Sequence, residues 1–254
     1  MSGAVERELP PGAPARADQD MQVHSTFSDG ASTVAENVAE AEAIGLTQMT
    51  CVDHVRRSTD WVPDYVAEVR RLAGQTSVRL RIGVEAKLLD TSGALDLPDA
   101  SLLDGVEWIY AADHQVPLAD GVHHPDEVRE GIASGRYDGQ EVLAQIMEAT
   151  TACLPRHPGR IVIAHIFSVL PKLGLREEQV PRELIERLAE VTRATGNVIE
   201  VNERYRTPSA ATLLPFVRLG VPLLMSTDSH RRDTIGRYEH GLSVVRELAA
   251  ALTS

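Results

Sequence analysis

Histidine and acidic residues stand at the ends of several short apolar runs spread along the chain. These residues are His24, His54, Glu85, His114, His165, Asp228 and His230. Imidazole and carboxylate groups are ligands for divalent manganese, zinc and iron, and parallel barrel strands bring the residues at their carboxyl ends to one rim. Such groups would repel one another, or stay unsatisfied, unless they shared cations. The pattern therefore predicts a metal centre rather than a set of unrelated core histidines.

Basic residues follow the same segments and form a second candidate group. They are Lys87, Arg204, Arg206 and Arg231. The planar guanidinium of arginine can donate two hydrogen bonds to one oxyanion, which suits a phosphate. Because the whole chain carries a formal net charge of -12, cations gathered at the rim would attract a small anionic substrate to that place. Arg204 and Arg206 are the first candidates for phosphate binding.

The elements that would position these residues alternate between strands and helices. After a first strand that ends near His24, apolar runs predict strands at 47–52, 78–87, 106–111, 161–164, 198–201 and 222–226. Helical patterns cover 33–43, 140–153, 181–195 and 235–252. This alternation predicts parallel pairing, in an α/β barrel or a doubly wound sheet. The absence of the G-x-G-x-x-G and P-loop motifs, and the polar residues after the strands, favour a barrel with its site at the C-terminal rim.

Length and composition predict one globular domain, residues 20–254, after a disordered leader, residues 1–19. The chain of 254 residues is 43% hydrophobic and lacks the long apolar run of a signal peptide or membrane span. We therefore expect a cytoplasmic protein with no membrane partner. The acidic balance argues against nucleic acid as a partner. Cys51 and Cys153 are far apart and are expected to be buried thiols.

Six segments, in order along residues 20 to 250, resemble motifs of the PHP (polymerase and histidinol phosphatase) family. They are VHSTFSDG at 23–30, for H-x-H-[TS]-x-x-S-D-G; TCVDH at 50–54, for T-D-H; GVE at 83–85, for G-x-E; IAH at 163–165, for A-H-P; EVN at 200–202, for E-x-N; and TDSH at 227–230, for D-A-H. Each motif is weak alone, but six collinear motifs are jointly specific. The resemblance implies a distorted seven-stranded (β/α) barrel with two or three divalent ions, manganese, zinc or iron, in its mouth.

The same resemblance implies a role for each ligand position. The first metal would be held by His24, Glu85 and Asp228, the second by Glu85, His114 and His165, and the third by His54 and His230. One position departs from the family pattern, because Gln22 replaces the first histidine of H-x-H. Gln22 could still be a ligand through its amide oxygen, which is a weaker and uncharged donor. The exchange could weaken the first metal, open a position for substrate or alter the chemistry.

The reaction implied is hydrolysis of a phosphate ester of a small anionic metabolite, as in a histidinol phosphatase, by a hydroxide that bridges two metals. Asp53, His54 and His230 are candidates for the proton transfer. The motifs also resemble PHP domains attached to bacterial family X polymerases, but no polymerase domain accompanies them here, which favours a small-molecule substrate.

Two alternatives to phosphate-ester hydrolysis stay open on the sequence. The first is a metal centre repurposed for C–N or C–O hydrolysis or for iron-dependent oxidation. Such a protein would bind iron tightly and leave phosphate esters intact. The second is a degenerate, non-catalytic binding domain, which would bind metal poorly.

Overall fold

The computed structural model describes residues 9, 10 and 12–253, and in that part of the chain strands and helices alternate. The strands are β1 (Gln19–Val23), β2 (Gln48–His54), β3 (Arg79–Lys87), β4 (Trp108–Ala112), β5 (Val116–Leu118), β6 (Gly121–His123), β7 (Ile161–Ile163), β8 (Val198–Asn202) and β9 (Leu223–Ser226). The α-helices are α1 (Val34–Ala43), α2 (Val62–Ala73), α3 (Pro125–Ala133), α4 (Gly139–Cys153), α5 (Leu170–Leu173), α6 (Arg182–Thr195), α7 (Ala210–Arg218) and α8 (His240–Thr253). Among the described residues, no helix has the length and apolar character that a membrane span needs.

Seven strands form one parallel sheet in the order β1-β2-β3-β4-β7-β8-β9. Its two edges nearly meet. Val23 and Ser229 form a parallel bridge, and the His24 amide donates to the Ser229 carbonyl at 2.8 Å. The sheet is therefore an almost closed barrel, and the predicted distorted (β/α)7 barrel is confirmed. β5 and β6 form a separate antiparallel hairpin between β4 and β7.

Successive residues of the barrel strands face alternately outward and inward. Outward side chains such as Val84 and Ile109 belong to the large core between barrel and helices. The inward apolar side chains form a smaller cluster, which comprises Met21, Val52, Tyr110, Ala112, Val162, Ala164 and Leu224. His54 lies two residues beyond Val52 and is the register partner of Glu85 on β3. These two residues therefore extend the inward face at the carboxyl ends of their strands.

Gly83 makes room inside the barrel for the ring of Tyr110. A Cβ added at Gly83 would lie 2.9 Å from Tyr110 Cε2 and 3.1 Å from Val52 Cγ2. The Tyr110 hydroxyl donates to the Met21 carbonyl of β1, on the far side of β2 and β3. The glycine two residues before Glu85 is thus explained by packing.

The structure differs from the sequence-based prediction at several elements. α2, α3 and α7 are not predicted. Pro215 lies inside α7 and obscures the helical pattern there. In α2 the proline is in the first turn, and the apolar residues at helical spacing, which the prediction omits, are Val62, Tyr65, Val66, Val69 and Leu72. The segment 116–135, for which the sequence pattern predicts no strand or helix, contains β5, β6 and α3. The last helix begins at His240 and not at Ile235, because Gly236 has a φ of 63°, which a right-handed helix cannot contain.

The folded part of the chain starts before residue 20. Ala15 and Ala17 are buried against the core, and β1 begins at Gln19. The Thr47 amide donates to the carbonyl of Asp18 at 2.7 Å, which ties this segment to the start of β2. The predicted disordered leader, residues 1–19, therefore extends too far. Its residues 1–8 and 11 lie outside the described part of the chain.

A buried carboxylate joins the two edges of the barrel. Asp20 on β1 is fully buried and accepts hydrogen bonds from the Thr227 amide at 3.0 Å, the Thr227 hydroxyl at 2.5 Å and the Gly236 amide at 2.9 Å. Thr227 directly precedes Asp228 at the end of β9. Asp20 thereby holds the segment that carries Asp228 and His230 against β1.

The substitution Asp20→Ala should lower the free energy of unfolding by about 2–4 kcal/mol, because several buried donors would lose their acceptor. Denaturant unfolding followed by circular dichroism measures this change. Glu68→Ala is the control. It removes an exposed i,i+3 ion pair with Arg71 on α2 and should cost less than about 0.5 kcal/mol. Equal effects of the two substitutions would contradict the anchoring role of Asp20.

Candidate metal centre and active site

The carboxylate of Glu85 lies at the centre of the candidate site. Glu85 is buried, and its two oxygens face different imidazoles. Oε1 lies 2.5 Å from His114 Nε2 and 2.9 Å from His165 Nε2. Oε2 lies 3.2 Å from His24 Nε2 and 3.4 Å from His54 Nδ1. Four histidines that close or follow four different strands thus converge on one carboxylate.

Gln22 also faces this carboxylate. The register of β1 is irregular between Asp20 and Val23, as at a bulge, and bulges redirect side chains near active sites. The Gln22 Nε2 donates to Glu85 Oε2 at 2.9 Å and lies 3.3 Å from His24 Nε2. The Gln22 Oε1 is buried and has no hydrogen-bond partner among the described residues. The oxygen and nitrogen of the Gln22 side-chain amide have nearly the same shape and can exchange places by rotation of the group. After such a rotation, Oε1 would be available to a cation beside Glu85.

A second group of donor atoms lies around Asp29. The Oδ1 atom of Asp29 is 3.4 Å from His54 Nε2 and 3.2 Å from His230 Nε2. Asp228 Oδ1 is 3.4 Å from His230 Nδ1 and 3.3 Å from His24 Nε2. Donor atoms of His24, Asp29, His54 and His230 all lie within 4.8 Å of one another. Asp29 is thus a candidate ligand beside the predicted ones.

The donor set fits divalent ions. Donor atoms of His54, Glu85 and His114 form another group within 4.8 Å. The partnerless oxygen of Gln22, buried beside this carboxylate, is an acceptor that a cation could satisfy. Imidazole nitrogen and carboxylate oxygen are donors that manganese, zinc and iron share, so these residues are compatible with each of the three.

Burial and neighbouring charges divide the imidazoles into two kinds. Burial opposes charge on His24 and His165, but the carboxylates beside them outweigh burial and raise the pKa of both rings. Burial lowers the pKa of His54 to about 4 and also lowers the pKa of His230. Protonated imidazoles therefore balance the charge of Glu85 when no cation is bound. A divalent ion would replace these protons, because metal ligands must be deprotonated.

Two further carboxylates fix the position of His165. Asp113 Oδ1 lies 3.2 Å from His165 Nδ1 and accepts a hydrogen bond from the Ser168 hydroxyl at 2.6 Å. Glu200 accepts from the His165 backbone amide at 2.5 Å, and burial raises the pKa of Glu200 to about 7. A carboxylate on one ring nitrogen of histidine fixes the tautomer and aims the other nitrogen at a metal. In His165, this other nitrogen faces Glu85.

Two of the candidate ligands have a left-handed backbone conformation. The φ angle is 26° at His165 and 52° at Asp228. A non-glycine residue in this region costs roughly 1–3 kcal/mol and is found most often at functional sites. The hydrogen bond to Glu200 stabilises the first residue, and a bond from Asn202 Nδ2 to Asp228 Oδ2, at 3.4 Å, stabilises the second.

Asp53, predicted to take part in proton transfer, is instead fully buried under the loop that carries Asp29. Its carboxylate accepts hydrogen bonds from the Ser25 amide at 2.9 Å, the Ser25 hydroxyl at 2.6 Å and the Ser28 hydroxyl at 2.5 Å. Asp53 is not among the residues that line the cavity beside His54 and Glu85. This placement suits a residue that positions the loop and does not suit one that touches substrate.

Part of the donor set lines a cavity of about 640 Å³. Its lining includes His54, Glu85, His114, Asp228 and His230, and also Phe27, Trp61, Lys87, Arg204 and Tyr205. Of the predicted anion-binding residues, Arg204 and Lys87 are therefore in the cavity. The Arg204 guanidinium contacts the ring of His230 and lies 3.7 Å from Asp228 Oδ1. Lys87 Nζ lies 3.6 Å from Asp96 Oδ2.

The other two predicted anion-binding residues lie elsewhere. Arg206 is not among the lining residues of this cavity, and its Nη1 lies 3.7 Å from Glu239 Oε2. It occupies a turn with a φ of 56°, so its side chain leaves the backbone in a different direction from that of Arg204. Arg231 lines a neighbouring cavity of about 360 Å³ and donates two hydrogen bonds, at 3.0 and 3.1 Å, to Asp233.

Comparison with known proteins identifies the family to which the chain belongs. The sequence profile of the PHP domain matches residues 20–204, which is most of the chain. The chain belongs to the PHP family. The family predicted from the six motifs is therefore confirmed.

Relatives of this PHP protein carry different names. DNA polymerase/3'-5' exonuclease PolX of Bacillus subtilis is 26% identical over 233 residues, which cover 90% of this chain and 37% of PolX. A protein named Probable phosphatase from Acetivibrio thermocellus is 24% identical over 239 residues, which cover 90% of this chain and 86% of that protein. A solved structure from Bifidobacterium adolescentis, provisionally described as a metal-dependent phosphoesterase, is 16% identical, with a TM-score of 0.47 over 95% of this chain and 97% of that chain. The chain thus spans little more than a third of PolX.

Some residues of the PHP site are not among the predicted ones. Asp29 lies inside the 23–30 motif, and Asp113 directly precedes His114. Both are carboxylates next to assigned residues, which is the signal that could have identified them. Nothing in the sequence distinguishes Phe27 and Trp61, because aromatic residues in loops are as often packed as exposed.

The substitution Asp113→Asn should weaken divalent-metal binding by about 10- to 100-fold, because a neutral amide orients the His165 ring less firmly than a carboxylate. Competition for manganese or zinc against a chromophoric chelator measures the affinity. Asp120→Asn is the matched control. It alters an exposed carboxylate that pairs with His123 on the β5–β6 hairpin and should leave metal affinity unchanged. Unchanged affinity in Asp113→Asn would contradict its positioning role.

Proposed function

We propose that this PHP protein is a phosphoesterase that hydrolyses a phosphate ester of a small anionic metabolite, with two or three divalent ions bound around Glu85. The observation that carries the proposal is the convergence of four imidazoles and one amide on this buried carboxylate, at the end of a cavity that Arg204 also lines. Relatives named as phosphatases support phosphate-ester chemistry. Histidinol phosphate is the family precedent for the substrate.

The setting we propose for the enzyme is the cytoplasm, with no nucleic-acid partner. The formal net charge of -12 supports the absence of a nucleic-acid partner, since binding to a phosphate backbone favours a basic surface.

Bound divalent ions would supply an activated water and neutralise charge on the phosphoryl oxygens. The ligands we assign are His24, Glu85 and Asp228 for one ion, Glu85, His114 and His165 for another, and His54 and His230 with Asp29 for a third. Gln22 would be a weak ligand beside the first ion. Arg204 would donate to the phosphoryl oxygens, since its guanidinium already lies beside Asp228 and His230.

The chain's own residues can also handle the proton of the leaving group. With only the first two ions bound, His54 and His230 would carry no metal, and because both line the cavity, either ring could take part in the proton transfer. Asp53 would act indirectly, by positioning the loop that carries Asp29. Cys51 and Cys153 take no part. Both are buried, and burial raises the pKa of both thiols, so neither is a ready nucleophile.

The substitution Glu85→Ala should release bound metal and lower kcat/KM for a phosphate ester by about 100- to 1,000-fold or more, because the bridging carboxylate is lost. Plasma mass spectrometry on protein purified without added metal or chelator gives the metal content per chain.

Gln22→His should raise the affinity for the first ion at least about tenfold, because imidazole is a stronger donor than an amide. Glu183→Ala, on the exposed face of α6, is the control and should change neither quantity.

Two results would overturn the phosphoesterase proposal. One is a parent protein that holds at most one metal per chain and gains the others only in Gln22→His. The other is tightly bound iron together with no turnover of any ester in a phosphate-ester panel.

The substitution Arg204→Ala should lower kcat/KM for a phosphate ester by about 10- to 100-fold, because a charge-assisted hydrogen bond to the phosphoryl group is lost. Arg206→Ala is the matched control. It removes the same charge two residues away, on a side chain that faces Glu239, and should change kcat/KM less than about twofold. Steady-state kinetics at saturating metal compares the two variants. A larger loss in Arg206→Ala than in Arg204→Ala would contradict the assignment.

A further inference from the structure

We propose that Phe27 and Trp61, here called the aromatic wall, bind a planar aromatic ring on the leaving group of the substrate. The proposal rests on the proposed phosphoesterase function and adds the chemical class of the ester. The substrate would be an aryl or heteroaryl phosphate, or an ester whose ring lies close to the phosphate, and not an alkyl or polyol phosphate.

The aromatic wall packs on a third aromatic ring, that of Tyr65, which holds it in place. The rings of Phe27 and Trp61 have centroids 5.4 Å apart, and both contact Tyr65, with centroid distances of 5.3 and 5.8 Å. Tyr65 is fully buried, and its hydroxyl donates to the Gly83 carbonyl on β3 at 3.1 Å. Because the supporting ring is fixed to the barrel, the wall needs little rearrangement to receive a ligand.

The aromatic wall lies beside the reacting end of the cavity. Both of its rings line the same cavity as His54 and His230. Phe27 is two residues from Asp29, whose carboxylate faces these two histidines, and Trp61 ends the loop that begins after His54. The leaving group of a phosphate ester whose phosphoryl group is held at His54 and His230 would therefore lie within reach of the aromatic wall.

Packing alone does not account for the aromatic wall. The chain contains three Phe and two Trp in 254 residues, and one of each is only partly buried in this cavity. Packing at the start of α2 explains the buried Tyr65 but leaves these two faces in contact with water, which is unfavourable for apolar surface. A ring stacked against them would remove that surface from water and gain the specific contact of aromatic pairs. A polyol would gain little there, because its hydroxyls prefer water.

Binding of three non-hydrolysable phosphonates to the metal-loaded protein tests the proposal without turnover. Phenylphosphonate should bind roughly 3- to 10-fold more tightly than cyclohexylphosphonate, which has a similar size but no planar ring. Methylphosphonate reports on the phosphoryl end of the site alone. Isothermal titration calorimetry gives the three dissociation constants.

Substitutions in the wall should remove the preference for the planar ring. Trp61→Leu should reduce the preference for the phenyl ligand, and the double variant Phe27→Leu with Trp61→Leu should bind the phenyl and cyclohexyl ligands equally and leave methylphosphonate affinity unchanged. Trp61→Phe, which keeps an aromatic face, should retain most of the preference. Trp108→Phe is the matched control, because Trp108 packs against Arg81 and is not among the residues that line the cavity. In that variant Trp61 is the remaining tryptophan, so 4-nitrophenylphosphonate should quench its fluorescence.

The outcomes separate this proposal from the proposed function. Equal affinities for the phenyl and cyclohexyl ligands in the parent protein, or a ring preference that survives in the folded double variant Phe27→Leu with Trp61→Leu, would overturn the aromatic wall. Ring preference without hydrolysis of any phosphate ester would support the wall and overturn the phosphoesterase function. Hydrolysis of aryl and alkyl esters with equal kcat/KM would overturn the wall alone. Failure of all three phosphonates to bind would overturn both.

Discussion

The negative charge of one buried carboxylate, Glu85, must be compensated, and this requirement explains which side chains surround it at the open end of the barrel. Glu85 lies where a strand of the almost closed sheet ends, and almost none of its surface is exposed to water. An isolated charge in such a place would be very unfavourable. The imidazoles of His24, His54, His114 and His165, which come from separate strand ends, all face it. Protons on imidazoles and divalent ions can both supply the compensating charge, and this exchange is the basis of metal binding here.

Closure of the barrel decides which groups reach that carboxylate. The two edges of the sheet meet through the bridge between Val23 and Ser229, and the Asp20 carboxylate binds the following segment through hydrogen bonds to Thr227 and Gly236. This closure brings Asp228, from the last strand, to within 3.3 Å of His24, from the first. The site therefore depends on contacts between residues some 200 positions apart, so a loss of closure would separate the ligands even if each strand remained intact.

The sequence by itself determines the fold class and most of the donor set. Alternating apolar runs and helical patterns predict parallel βα units, and residues at the ends of such strands must meet at one rim. His24, Glu85 and His165 could be identified in this way because each occupies a fixed position relative to a strand. Gln22 could also be recognised as a departure, since motif spacing assigns its position. A helix with a proline in its interior, such as α7 with Pro215, lacks so clear a pattern.

Only the tertiary structure decided how the residues between strands are used. Arg204 and Arg206 are two positions apart and chemically alike, yet one lines the cavity and the other faces Glu239. Asp53 and Asp29 are both acidic residues of recognised motifs, but one is buried under a loop and the other faces two histidines. In strands the direction of a side chain follows from its position in the alternation. In loops it follows from turn conformation, which long-range contacts set and local sequence does not.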